Sequence, residues 1–591
     1  MKKYFIYTIV LAAFLLANIS CSKDWLDINV DPNNPSSSVA PVSSRLPWIQ
    51  HHYLYAQGTA GARAGFITQM LTYTYGTATH SMSAGWNPVA GVSTTPYQFF
   101  FVASAANLKD LEEKAMEEEA WHYVGAAKAI RALGFMLMVD WYGEMPYTEA
   151  LGEAITPVFD DGKTIFEGCL QDIDEAIEYF NREQPVLATP LDKGDSWNNG
   201  DVNKWIKMCY GLKARWLNNL SKKTSIYDAD EILSVLEKAP QSNADNTVIK
   251  HVDVAGDNVG DVLFSDPLMA SIVFSNVGMN VNTLVTKWYE DLLVNFDGKT
   301  IEDPRANKLI PMAQFGTNKE YVRSKGVDMQ SNIRMNNGPI VASYNATNEP
   351  LTSNGRTVAP HSYYINSADS ERWGDTTFVS FRSDAIGYYK SPDDIYKWGD
   401  GRVASTSSFY SRPDAPNHFL CYHEMCFIKA EILFNKGDKA GAFQAYKQGV
   451  QAHIDLMNEK LSSYGNVNPS KSPMDQDDIE NFMNNALGTA GDISLGKIMM
   501  QKFIALSFSQ QNWNDMRRMD YSEDIYKGWG VPFEYYQTAQ AQTKIPLGKD
   551  FRRIMQVSHE MNYNAENFRN SHPNAASDDI WSFPVWWDIA D

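Results

Sequence analysis

Cys421-Tyr-His-Glu-Met-Cys-Phe-Ile-Lys-Ala-Glu-Ile-Leu-Phe-Asn-Lys-Gly-Asp438, running on into Lys439-Ala-Gly-Ala-Phe-Gln-Ala-Tyr446, is the stretch from which the fold can be read. Cys421, Met425, Ile428 and Ile432 recur at intervals of three and four, which puts them on one helix face. Phe443, Tyr446, Val450, Ile454 and Met457 repeat that pattern in the following segment. Asn435-Lys-Gly-Asp438 between them has the glycine and Asx chemistry of a tight turn. Two amphipathic helices on so short a connection lie antiparallel and bury their apolar faces against each other.

The unit looks like a tetratricopeptide repeat, with Ala430, Gly437, Ala442 and Tyr446 where small or aromatic residues lock such a pair. A helix pair of this kind needs stacked neighbours, and helical patterning lies on both sides. Upstream, Trp121, Val124, Ile130, Leu133, Leu137 and Trp141 form a stripe that stops at Trp141-Tyr-Gly143-Glu-Met-Pro146, a Gly/Pro exit. Residues 163–181 read as an amphipathic helix. So do 201–223, where Trp205, Cys209, Leu212, Trp216 and Leu220 share a face and Asp201 is placed to be the N-cap. Downstream, a helix near 493–509 leads into Gln511-Asn-Trp513-Asn-Asp-Met-Arg517-Arg518. From about 241 to 415 the helical period disappears, and aromatics sit among Gly, Asn, Ser, Asp and Pro. The expected organisation is a mainly α protein: a helical scaffold over 39–240, a loop-rich region over 241–415, and tetratricopeptide-like helices and a tail over 416–591, all in one composite domain. A loop-rich region of that length within a helical protein is where function is expected.

The N-terminus sets the compartment. Met1-Lys-Lys precedes an apolar run from Tyr4 to Ala17, and Asn-Ile-Ser precedes Cys21, so residues 1–20 read as a secretory signal. The run is shorter than the ~20 residues that span a bilayer. Leu15, Leu16 and Ala17 before Ser20-Cys21 resemble a bacterial lipobox, although Asn18 and Ile19 depart from its usual residues. Cys21 is therefore the expected lipidation site, with 21–38 as its tether and several acyl chains as a stable anchor. The formal charge is −20, and loss of Lys2 and Lys3 with the signal leaves −22, a surface that repels nucleic acid. Cys169, Cys209, Cys421 and Cys426 are too sparse for a disulfide scaffold. Cys421 and Cys426 point to different helix faces, so all four read as buried small hydrophobes. No CxxC or HxxxH spacing suggests a metal, and none is expected.

Read together, these residues resemble the SusD/RagB family of outer-membrane nutrient-binding lipoproteins. The blocks that carry the resemblance are Trp25-Leu-Asp-Ile-Asn after the cysteine, Trp141-Tyr-Gly-Glu-Met-Pro-Tyr-Thr-Glu-Ala150, and Phe159-Asp-Asp161 before the Asp172-Ile-Asp-Glu-Ala-Ile helix. They continue with Gly200-Asp-Val-Asn-Lys-Trp205, Leu212-Lys-Ala-Arg215, His423 to Glu431, Trp513 with Met516-Arg-Arg518, and Val585-Trp-Trp-Asp588. The resemblance implies helix pairs of tetratricopeptide type in both the N- and C-terminal parts, carrying a loop-rich body with the ligand site. It also implies a partner, a SusC-like TonB-dependent barrel over which the lipoprotein sits as a hinged lid. Oligosaccharides are the main expected ligands, with oligopeptides the alternative. A structural or assembly lipoprotein is the competing class.

Catalysis has little support in the residues. Acidic pairs are plentiful, and two carboxylates ~5–10 Å apart across a cleft would serve a glycosidase, but no spacing in the sequence singles a pair out. GxSxG, HExxH and phosphate-loop motifs are absent from the sequence, so a non-catalytic binding protein without a cofactor is expected. Sugar binding calls for aromatic faces with a few fixed polar groups. Trp86 and Asn87 are candidates because Gly76 to Gly85 offers little helical core for the ring. The others are Arg334, Asn337, Tyr363, Tyr364, Trp373 and Trp398. Trp513, Arg517 and Arg518 read instead as scaffold, holding helix to loop by stacking and ion pairs.

Overall fold

The computed structural model describes residues 40–73, 75–251, 283–315, 320–332, 340–342, 351–353, 356–358, 363–365, 377–379, 381, 403–406, 408–412 and 414–591. The chain enters through α1 (Val42–Ile67), which is buried on nearly every side. After the short strand β1 (Leu71–Tyr73) come α2 (Leu108–Glu117), α3 (Trp121–Tyr142), α4 (Gly162–Phe180), α5 (Val202–Asn219) and α6 (Ala229–Leu236). Consecutive members of this series from α2 to α6 pack on one another as helix pairs. Three of the starts are capped by aspartates: Asp161 accepts from the Thr164 amide, Asp201 from Lys204 at 3.1 Å, and Asp228 from Asp230 and Glu231. The Asp201 cap is the one read from the sequence. Helix α3 stops at Gly143, whose φ of 81° no longer continues the helix.

The stripe read for α3 was too narrow. Gly134, Met136, Met138 and Asp140 are buried as well as the stripe residues from Val124 to Trp141, because α3 lies between α1, α2 and α4. A helix covered all round has no polar face to reveal its orientation.

The 241–415 stretch contributes α7 (Lys287–Val294) and a set of strands only three or four residues long. These are β2 (Thr247–Ile249), β3 (Thr283–Val285), β4 (Met312–Phe315), β5 (Glu320–Arg323), β6 (Ile340–Ala342), β7 (Leu351–Ser353), β8 (Arg356–Val358), β9 (Tyr363–Ile365), β10 (Thr377–Val379) and β11 (Val403–Ser405). Every pairing is antiparallel: β1 with β3, β7 with β8, β9 between β6 and β10, and β4 between β5 and β11. Strands this short show no readable alternation, so no pattern of residues marks them in advance. Strand β12 (Asn417–Leu420) pairs with β2 and hands the chain back to the helices.

Helices α8 (Tyr422–Asn435) and α9 (Lys439–Ser462) form the antiparallel pair read at the outset. Gly437, at φ 86°, makes the turn, and Asp438 caps the Gly441 amide at 2.8 Å. Helix α10 (Leu495–Ala505) packs on both, and α11 (Gln511–Arg518) crosses to α1 and α5. Cys169, Cys209, Cys421 and Cys426 are free and buried. No helix among the described residues is long and apolar enough to cross a membrane.

A buried polar hub joins the two helical parts. Asp140 Oδ1 accepts from the Trp587 indole at 2.9 Å, and Oδ2 from Asn514 at 2.7 Å and Gln510 at 3.3 Å. Burial pushes the Asp140 carboxyl up to about 6, against the pull of Arg517 and the hydrogen bonds from Asn514 and Trp587. Arg517 donates to the Asp140 carbonyl and sits 3.9 Å from the Trp513 ring centroid and 4.8 Å from that of Trp587. Arg518 clasps Glu431 through both terminal nitrogens, and its Nε bonds Asp515 at 2.8 Å. Trp513, Arg517 and Arg518 are thus scaffold, as their sequence setting suggested.

Candidate functional site

The end of α1 builds one wall of a groove. A helix leaves its C-terminal carbonyls without intrahelical partners, and here side chains from three distant segments supply donors in succession. The Trp86 indole donates to the Ile67 carbonyl at 3.0 Å, the Trp529 indole to Thr68 at 3.0 Å, and the Thr286 hydroxyl to Gln69. Thr286 is also the N-cap of α7 through the Tyr289 amide. The same few atoms therefore end one helix and start another.

Trp86 is a core residue, which corrects its reading as a ligand platform. It is 0% exposed and meets Tyr521, Trp529, Tyr535 and Phe551 at ring-centroid distances of 5.4–6.3 Å. Its local Gly/Ser setting offers no core, but the chain beyond residue 520 does. Asn87 is likewise buried, with Oδ1 accepting from Lys544 at 2.7 Å. Tyr363 and Tyr364 are consecutive residues of β9, paired with Ala342 and Val341 of β6 and with Val379 and Phe378 of β10. That sheet is tied to the groove's surroundings, since the Val379 amide donates to Ser324 Oγ and the Phe381 amide to the Thr283 carbonyl. Cys21, Arg334, Asn337, Trp373 and Trp398 lie outside the described residues. Of the described candidates, Trp86 and Asn87 thus lie in the core and Tyr363 and Tyr364 in β9.

The groove itself has a volume of about 230 Å³ and is lined by Gln69, Thr286, Lys287, Trp288, Asp291, Asp328, Met329, Gln330, Gly528, Trp529 and Gly530. Lys287 and Asp291, both about half exposed, pair at 2.5 Å. Gln330 bridges the two sides by donating from Nε2 to the Gly528 carbonyl at 2.8 Å, and Trp288 does the same to Lys527 at 3.1 Å. Trp288 and Trp529 are 8% and 6% exposed, so their rings form the walls and only a margin of each is free. None of these polar residues was picked out from the sequence. The available signal was Gly528-Trp-Gly530, a glycine-flanked tryptophan like Gly85-Trp86, and Asp328 to Gln330 stand just before the Arg334 candidate.

A second cavity, of about 150 Å³, lies between α1, α3, α5, the 415–419 segment and the start of α11. Its charged groups are already engaged: Asp140 in the hub, and Arg215 in a 2.6 Å ion pair with Glu424. Among the described residues, no group of three or more His, Cys, Asp or Glu is arranged to hold a metal ion.

Comparison with known proteins gives the family. No curated protein matches the chain. Solved structures do, over nearly its whole length. A SusD/RagB family protein from Bacteroides thetaiotaomicron superposes with a TM-score of 0.61 at 18% identity, covering 93% of this chain and 100% of that one. A protein described as chitin-binding gives 0.60 at 18%, with the same coverage. A SusD homologue from Bacteroides uniformis gives 0.58 at 16%, covering 94% of this chain and 100% of the other. At these identities the likeness speaks for the fold. The sequence model of the SusD-like family, described as "Starch-binding associating with outer membrane", matches residues 39–358 and 374–527, which is most of the chain. The chain belongs to the SusD-like family.

Proposed function

We propose that this protein is a lipid-anchored outer-membrane protein of the cell surface that binds oligomeric nutrients, chiefly oligosaccharides, and delivers them without chemical change to a SusC-like TonB-dependent transporter. The observation that carries this is membership of a family described as starch-binding and outer-membrane-associated, over a match that includes most of both the helical and the loop-rich parts. The division of labour supports it. Paired helices make a frame, and the described part of the 241–415 segment adds α7 and short strands to it, leaving loops where recognition is expected. Arg334, Asn337, Tyr363, Tyr364, Trp373 and Trp398 are the proposed contributors from that body. Cys21 is the proposed anchor, with residues 1–20 removed on export. An oligopeptide ligand is the second reading, favoured by Asp328 in the groove, whose carboxylate suits a lysine or arginine side chain.

Deletion of residues 360–400 is the test. The variant is expected to lose retention on a starch or chitin column while still co-purifying with its barrel partner. Undiminished glycan retention would show that this part of the 241–415 region is not the ligand-bearing one.

A further inference from the structure

We infer that the turn at Val186 and Leu187 is a membrane contact, a two-residue aliphatic tip that dips into the lipid surface beside the tether; this rests on the lipid-anchor reading of Cys21 above.

Val186 and Leu187 are 100% and 99% exposed. Folding alone gives no reason for two adjacent aliphatic side chains to stand wholly in water. They do not sit on a loose loop. They are the central pair of a turn closed by the Ala188 amide, which donates to the Pro185 carbonyl at 3.0 Å. The turn is braced from both sides. Gln184 accepts from the His122 amide at 3.3 Å and donates to the Thr189 carbonyl at 3.4 Å. The Tyr123 hydroxyl donates to the Pro190 carbonyl at 3.0 Å. The tip is thus held out at a fixed place, at the end of the α3–α4 pair where α3 starts and α4 stops.

The base of the tip carries the residue types of a water–lipid boundary. The Arg182 guanidinium lies 4.1 Å from the Tyr179 ring centroid and 5.4 Å from that of Trp121, and the two rings are 6.3 Å apart. Both rings are partly exposed and Arg182 is fully so. Trp, Tyr and a snorkelling Arg settle at the headgroup level, which leaves the aliphatic tip for the acyl boundary below.

The tip also stands where the lipid would be. The segment after the turn runs along the start of α1. Gly194 lies so close to Ser43 that a Cβ there would come within 2.7 Å of the Ser43 carbonyl oxygen, and Gln50 donates to Asp195 at 2.8 Å. The chain enters α1 at this end, so the tether leading from Cys21 arrives on the same side of the molecule as the tip. A protein partner fits less well. Arg182, Glu183, Asp192 and Lys193, on the chain either side of the turn, are charged and exposed. The apolar area is two side chains wide, far short of the ~800 Å² that each side of a stable protein interface buries.

The test places an environment-sensitive fluorophore on Leu187→Cys or, as a control, on Ile155→Cys. Cys169, Cys209, Cys421 and Cys426 are buried, and Cys21 is the proposed anchor, so the new thiol takes the label. Ile155 is 96% exposed and precedes the opposite end of α4, a helix of 19 residues and thus ~28 Å long. The full lipid-anchored chains are reconstituted into phosphatidylethanolamine–phosphatidylglycerol vesicles containing spin-labelled lipid. The probe at 187 is expected to shift to the blue and to be quenched more by a shallow spin label than by a deep one, since such a contact reaches only ~5–10 Å inward. The probe at 155 is expected to show neither effect, and Val186→Asp to abolish both at 187. Unshifted, unquenched emission at 187 in vesicle-bound protein overturns the contact and leaves the anchor standing. A shift at 187 that needs the co-reconstituted barrel partner and involves no quenching by lipid overturns it in favour of a protein contact. Failure of the unsubstituted chain to sediment with the vesicles overturns the anchor and the contact together.

Discussion

Trp86 shows what a single residue can and cannot reveal in sequence. Glycine and serine around it suggested a ring without a core, because only near neighbours along the chain can be read. Its core consists of Tyr521, Trp529, Tyr535 and Phe551, more than 400 positions away. Its hydrogen bond to Ile67 gives it a definite structural task. Trp86→Phe keeps a ring in place but removes the donor, so the Ile67 carbonyl is left buried without its partner. The expected result is a loss of ~1–3 kcal/mol of stability, read by denaturant unfolding, with oligosaccharide affinity unchanged. A variant of wild-type stability with impaired glycan binding would return Trp86 to the ligand site. Residues of the opposite kind, such as Asp201 and Gly437, were legible because capping and turning depend on chain neighbours alone.

At the scale of elements, the helices were legible and the groove was not. A helix declares itself through spacings of three and four, and α4, α5, α8 and α9 appear close to where those spacings put them. The groove draws on residues 69, 286–291, 328–330 and 528–530, which no periodicity connects. The α8–α9 pair also hides a feature that spacing cannot show. His423 and His453 are 0% exposed, with ring centroids 5.0 Å apart. Arg305 donates to His453 Nδ1 at 3.0 Å, so the proton of the neutral ring lies on Nε2, directed at Tyr410 Oη at 2.8 Å. Burial, followed by the neighbouring histidines and Arg305, holds both imidazoles well below their ordinary range. The unfolded chain protonates them near pH 6.5 and the folded chain does not. Their contribution is therefore fully present above about pH 6.5 and falls as pH drops, by about 1.4 kcal/mol per pH unit for each ring. Denaturant unfolding at pH 7.5, 6 and 5 should show this loss, and His453→Gln should flatten it by one ring's share. An unchanged slope in that variant would place the acid sensitivity elsewhere.

For the molecule as a whole, the proposed anchor and the folded body are separable. The core of the described residues from Val42 to Trp587 is built from protein side chains alone, so a Cys21→Ser variant is expected to fold, bind oligosaccharide in solution and leave the membrane fraction. Retention of that variant on membranes after a salt wash would show that the thioether-linked lipid is not what holds it there.

The Asp140 hub carries a consequence for the order in which the molecule is put together. Its donors come from positions 510, 514 and 587, and the indole that completes it follows Asp140 by 447 positions. A polypeptide delivered N-terminus first presents α3 long before any of those donors exist. Partners so distant are found slowly, and the waiting carboxyl, in an apolar setting, stays protonated or hydrated and keeps α3 from packing shut. Closure of α3 around Asp140 is thereby deferred until the chain through residue 587 has arrived.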